Sequence, residues 1–233
     1  MTEIDLQNRI VHFLHSAGEK FFVKNYDDAI RDLKAAEVLD KNNPEILFNL
    51  GINYCRKGLH RTSVEYFEKV LGLPFKYVEI LTLKKMLAFA LISSGSLKEA
   101  DRRLDEVLEL VPADTVALNM KGYSLEKQGK IGQAMDVYKN IIKIDKNNYN
   151  AYNSLAYLIA KNGGNLNEAQ KYANKAVAAS PENPAYLDTI GYIYMKKGRV
   201  KEAMKYLYEA RKRMPVSEEI QEHINELKIT EIK

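Results

Sequence analysis

Apolar and small residues recur along this chain first with a helical period and then with a longer one. In PEILFNLGINYCRKG, Leu47, Leu50, Gly51 and Tyr54 fall on one face of a helix. The segments YDDAI, RTSVE, LKEAD, IGQAM, LNEAQ and VKEAM each carry a small residue, at Ala29, Ser63, Ala100, Ala134, Ala169 and Ala203, with successive gaps of 34, 37, 34, 35 and 34. A second small residue stands twelve or thirteen positions before each, at Ala17, Gly51, Ala88, Gly122, Ala156 and Gly191. Glycines at 58, 95, 129, 163 and 198 mark a turn between the two in five of the six periods. Each period predicts two helices folded back on one another, with the small residues letting the backbones approach. On this reading Ala134→Leu overpacks a crossing and costs about 1 to 3 kcal/mol.

The prolines agree with that division. Pro44, Pro74, Pro112, Pro181, Pro184 and Pro215 all fall between periods or in the first turn of a helix, where a missing N–H does no harm. With PEILFNLGINYCRKG and PAYLDTIGYIYMKKGRVKEAMKYLYEA as its clearest copies, the pattern resembles the tetratricopeptide repeat. The resemblance implies an all-α fold, a right-handed superhelical solenoid of antiparallel hairpins. One array over 1–233 would hold repeats at 10–43, 44–77, 81–114, 115–148, 149–183 and 184–217, followed by a capping helix at 217–229. The last two repeats look like a pairing common in bacterial members of the family.

Repeat one has Ser16-Ala17 in place of Leu-Gly and lacks the turn glycine. Repeat three carries three extra residues near Pro74 to Glu79 and Lys84 at an apolar position, so its first helix is expected to start early. Repeat five adds one residue at Asn162-Gly163-Gly164-Asn165. At the ends, Thr2 is placed to cap a helix running through Leu6, Ile10 and Phe13. Ser217, Glu218 and Glu219 suit the start of a helix with the apolar stripe Ile220, Ile224 and Leu227, which would cover the open face of repeat six.

Composition narrows the setting. The 233 residues are 46% hydrophobic, enough to bury a core without disulfide or metal, and the single cysteine, Cys55, fits a reducing cytoplasm. Glu3 and Asp5 stand where a secretory leader would be basic, and no apolar run approaches the ~18 residues of a membrane span. Net charge is +4, with the excess concentrated between Lys196 and Arg213 and answered by glutamates at 218, 219, 222, 226 and 231. The basic block is therefore expected to meet an acidic helix of the same chain rather than nucleic acid.

In the family, the second, fifth, sixth, ninth and thirteenth positions of each first helix line an inner groove that commonly holds peptides. The fifth and ninth positions here read Leu14 and Gly18, Phe48 and Ile52, Lys85 and Phe89, Asn119 and Tyr123, Asn153 and Tyr157, and Asp188 and Tyr192. Phe89, Tyr123, Tyr157 and Tyr192 would form an aromatic stripe, serving either as anchors for a partner or as packing for the next hairpin. Asn49, Asn119 and Asn153 carry amides able to pair with a backbone. Lys127, Lys161 and Lys196 at thirteenth positions favour a partner that adds acidic residues to apolar anchors, unless they are merely solvated helix ends. Of the Lys and Asn clamp with which related co-chaperones grip chaperone tails, only Asn49 is in place, so that ligand is not expected.

No catalytic constellation is apparent. His12 and His15 share a helix face without a third ligand, Cys55 and His60 lack an orienting acid, and the glycines of repeat five lack the phosphate-loop spacing. The expected function is a non-enzymatic adaptor, without cofactor or metal, that holds a peptide segment of another protein mainly along the C-terminal two thirds of the groove. The alternative is a structural subunit that forms homo-oligomers through its end or convex faces.

Overall fold

A computed structural model of the chain describes residues 2–74 and 80–231, and these form helices and the turns joining them, with no strand among them. In chain order the helices are α1 (Glu3–Phe22), α2 (Tyr26–Leu39), α3 (Pro44–Arg56), α4 (His60–Leu71), α5 (Ile80–Ser93), α6 (Leu97–Leu110) and α7 (Thr115–Lys127). Then come α8 (Ile131–Ile144), α9 (Tyr149–Lys161), α10 (Leu166–Ala179), α11 (Pro184–Lys196), α12 (Val200–Arg213) and α13 (Glu218–Glu231). The chain divides into two compact units, Met1–Ser124 and Leu125–Lys233. In the N-terminal unit α1/α2, α3/α4 and α5/α6 pair as hairpins. In the C-terminal unit α9/α10 and α11/α12 do so, with α8 against α9 and α13 against α12 and α11.

Local chemistry sets the helix ends. Thr2 Oγ1 accepts from Asp5 N–H while Thr2 N–H donates to Asp5, a reciprocal cap that starts α1. Asn43 and Asn183 cap α3 and α11, each followed by a proline as the first helical residue. The five turn glycines all take positive φ, from +71° to +84°, a region that a Cβ disfavours. Repeat one turns without a glycine, and there Lys24 is held at φ +60°. The early start expected for the first helix of repeat three falls on residues 75–79, outside the described ones.

The small residues are buried as the period required, with Ala29, Ala88, Ala100, Ala134, Ala156, Ala169 and Ala203 all at 0% exposure. A Cβ added to Gly51 would lie 2.5 Å from the Phe67 ring, and one on Gly191 would lie 2.8 Å from Leu207 Cγ and 3.1 Å from its backbone nitrogen. Ser63, in place of the usual alanine, donates its hydroxyl to the Gly51 carbonyl at 2.7 Å, so its polar atom is satisfied inside the crossing. The lysines at apolar positions of first helices are accommodated by α6: Lys84 pairs with Glu106 at 2.8 Å, and Lys121 pairs with Asp105. Their stems can then cover apolar surface while the ammonium groups stay paired at the rim.

At the C-terminus, Ser217 Oγ accepts from Ile220 N–H at 3.4 Å, and Ile220, Ile224 and Leu227 are buried at 3%, 0% and 2% exposure. Of the basic block, Lys196 reaches Glu226 of α13, whereas Arg199 pairs with Glu202 and Arg213 with Glu182 and Glu209. No helix among the described residues is long and apolar enough to cross a membrane.

Candidate functional site

In the N-terminal unit the first helices α3, α5 and α7 line a cavity of about 540 Å³. Its walls include Ile52 and Arg56 from α3, Thr82, Lys85, Met86 and Phe89 from α5, and Val116 and Met120 from α7. These are second, fifth, sixth, ninth and thirteenth positions, the set that the repeat register assigns to an inner wall. Phe89 is 47% exposed and meets His60 edge-on, with ring centroids 6.3 Å apart. Tyr123, at the next ninth position, is 45% exposed.

Charge at this cavity is uneven. Lys85 is held by Asp114 at 2.7 Å, while Arg56 is exposed at its edge. Burial works against the Asp114 charge, but hydrogen bonds from Lys85 and from Ala117 N–H outweigh it and hold the carboxyl below the usual range. Cys55, also in the wall, is a free thiol 3.9 Å from His60 Nδ1. Burial pushes its pKa up despite Ser63 and Arg56, which makes it a poor nucleophile. Asn49 and Asn119 turn their amide nitrogens onto the Glu45 and Thr115 carbonyls of their own helices, at 2.9 and 2.7 Å. One of the two amide hydrogens of each is therefore committed to its own helix.

The corresponding face of the C-terminal unit is covered by its own chain. His223 of α13 stacks on Tyr192 with centroids 4.5 Å apart, approaches Tyr157 at 6.0 Å, and bonds Asp188 through Nδ1 at 2.9 Å. Glu219 lies near enough to Tyr157 for its charge to act on the phenol, and Glu226 takes Lys196 at 2.5 Å. Burial and then the Glu219 charge raise the Tyr157 phenol above its ordinary range, and burial likewise raises the Asp188 carboxyl, which His223 offsets only in part. Lys161 and Lys196 lie over the rings of Tyr157 and Tyr192, each 5.0 Å from the centroid, so two of the thirteenth-position lysines are cation–π partners of the ninth-position rings one turn earlier. Lys127 is exposed, and the Asn153 side-chain oxygen is shielded from solvent without a hydrogen-bond partner.

Three residues assigned to an accessible wall are placed otherwise. Phe48 is 7% exposed and packs on Phe67 with centroids 6.0 Å apart, because the fifth position borders the packing face and a large ring gains more by turning inward. Asp188 and Tyr192, 5% and 6% exposed, are closed over by α13. Sequence reasoning credited α13 with its apolar stripe and with glutamates facing the basic block, as Glu226 does toward Lys196, and missed His223 and the place of Glu219 beside Tyr157. The spacing of Glu219, His223 and Glu226, one and nearly two turns apart, carried the signal of a second working face.

Helical hairpins in series, closed by small residues and turned by positive-φ glycines, define an all-α repeat protein. Models of the tetratricopeptide repeat (TPR) match residues 116–148 and 155–217. A TPR repeat-containing protein of Pseudomonas aeruginosa is 29% identical over 139 residues, which is 60% of this chain and 23% of that protein. The aligned regions make up 23% to 31% of the lengths of the curated relatives. Among solved structures, a TPR protein from Parabacteroides merdae superposes with a TM-score of 0.78 at 16% identity, over 97% of this chain and 88% of that one. YrrB, described as a TPR protein with an unusual peptide-binding site, gives a TM-score of 0.57 at 22% identity, over 75% and 88%. Residues 116–148 and 155–217 of this chain are thus tetratricopeptide repeats.

Proposed function

We propose that this protein is a non-catalytic scaffold that holds a segment of another protein against its first helices, and that the open part of the binding face is the cavity around Phe89. The observation that carries this reading is the cavity itself: inner-wall positions of three first helices converge on it and leave Phe89 about half exposed. Ile52, Met86, Met120 and Phe89 offer an apolar seat, and Met side chains adapt to more than one occupant. Arg56 at the edge favours an acidic residue beside the partner's apolar anchor. YrrB, whose description names a peptide-binding site, supports the reading by likeness of fold. A free Cys55 suits work in a reducing compartment.

The test is a Phe89→Ala, Met120→Ala double variant, with partners captured from the source cells and the Cys55 thiol as reporter. Bound partner should protect Cys55 from alkylation, and the variant should lose that protection together with at least tenfold in affinity, about 1.4 kcal/mol. A folded variant that keeps the same partners at the same affinity removes the cavity from the function.

Self-assembly has one observation in its favour. Ile4, Val11, Phe22 and Val23 on and beside α1 are 54% to 85% exposed. Light scattering over a concentration series decides it, since a mass that stays monomeric throughout removes this reading.

A further inference from the structure

Helix α13 does more than a cap requires. Burying the end of a helical stack needs an apolar stripe, and Ile220, Ile224 and Leu227 supply it. Beside that stripe, Glu219, His223 and Glu226 form a second one, and each member engages a residue that the repeat register places on the inner wall: Tyr157, Asp188 with Tyr192, and Lys196. The His223–Asp188 pair is almost wholly enclosed, with both side chains 7% exposed. A buried ionisable pair adds little net stability but penalises wrong registers, which is how a ligand is recognised.

We propose that α13 is an internal ligand of the wall formed by α9 and α11, and that this wall exchanges it for an amphipathic helix of a partner protein with acidic residues at the first and last of three positions spaced i, i+4, i+7. The proposal rests on the scaffold reading above and extends it from the open cavity to the covered wall. The occupant's chemistry is read from α13 itself. Lys196 selects the acid at the last position by its ion pair, the Tyr192 face takes a flat ring at the middle one with Tyr157 beside it, and the first position is the one Glu219 fills near Tyr157. The tether of Pro215, Val216 and Ser217 keeps α13 at high effective concentration, so an outside helix competes only when α13's own contacts are weakened or its own are better.

The experiment uses the full chain and a fluorescent synthetic peptide with the sequence of residues 217–231. In the Glu226→Lys variant the pairing with Lys196 becomes a repulsion, and in the Ile224→Asp variant the apolar anchor is lost. Either change should free α13, read as at least tenfold faster amide exchange in that helix with circular dichroism otherwise retained. Peptide affinity should rise at least tenfold over the unaltered chain. Adding Tyr192→Ala to the variant, or Glu219→Lys and Glu226→Lys to the peptide, should abolish the gain.

The proposal is overturned if neither variant frees α13, if α13 is freed and peptide affinity does not rise, or if binding ignores Tyr192. A concentration-dependent dimer that excess peptide fails to dissociate also overturns it, in favour of exchange between copies. Partner binding that still depends on Phe89 after a negative peptide result leaves the scaffold reading standing and sinks only this one.

Discussion

The two units present the same helical positions in opposite states. In the N-terminal unit, ninth-position Phe89 and Tyr123 are 47% and 45% exposed, and Phe89 borders an open cavity. In the C-terminal unit, ninth-position Tyr192 is 6% exposed beneath α13, and its lysine is already paired with Glu226. Register alone therefore does not decide whether a wall residue is available. What decides it is whether a further helix of the same chain supplies complementary groups, as α13 does with Glu219, His223 and Glu226.

The largest effect should come from the residue that backs the open cavity. Phe67 is 1% exposed, packs against Phe48 and Gly51, and also forms part of the cavity wall. Phe67→Ala should cost about 3 to 5 kcal/mol in urea denaturation, because the space left behind joins an existing hollow that cannot collapse. It should also speed Cys55 alkylation by opening the wall beside it. A loss below about 1 kcal/mol would mean that the cavity closes in solution, and the contrast between an open and a covered wall would fail.

A smaller effect separates the hairpin crossings of the two units. Gly51→Ala drives a methyl into the Phe67 ring, whereas Gly191→Ala drives it against the Leu207 side chain and toward the Leu207 backbone nitrogen. Both should destabilise by about 1 to 3 kcal/mol, with Gly191→Ala the more costly because backbone yields less readily than a side chain. Thermal denaturation of the two variants, compared by their change in midpoint, checks the order. The reverse order would show that the rigid ring is the harder obstacle.

These residues also show what the sequence disclosed. The hairpins, the crossing residues and the turn glycines were legible because each rests on a local requirement, a helical period, a missing Cβ or a positive φ, that writes itself into residue type. The stripe of α13 also announced a cover over repeat six, but not the enclosure of Asp188, because its cause lies 35 residues away in the chain: nothing around Asp188 announces His223. Phe48 was misplaced for a related reason. A large apolar residue on a boundary position can turn either way, and only the arrival of Phe67 from α4 settles it. Lys84, at an apolar position, looked like an irregularity until Glu106 of α6 was placed opposite it.

The smallest predicted effect concerns the one turn that departs from the glycine pattern. Lys24 holds φ +60° where the other repeats place glycine at +71° to +84°, and its backbone N–H still donates to the Phe21 carbonyl at 2.9 Å, so the turn is made at a cost to the residue rather than by a different route. An L-residue in that region is disfavoured by about 1 to 2 kcal/mol, and glycine removes this strain. Glycine also widens the unfolded ensemble, which returns part of the gain. Lys24→Gly should therefore stabilise the protein by about 0.5 kcal/mol, a rise of roughly one or two degrees in the unfolding midpoint. Because the change lies in the α1/α2 hairpin, amide exchange should slow there and stay constant in α11 to α13. A neutral or destabilising result would mean that the Lys24 side chain contributes an interaction large enough to offset its backbone, and repeat one would then differ from the others by design of its turn rather than by the mere lack of a glycine.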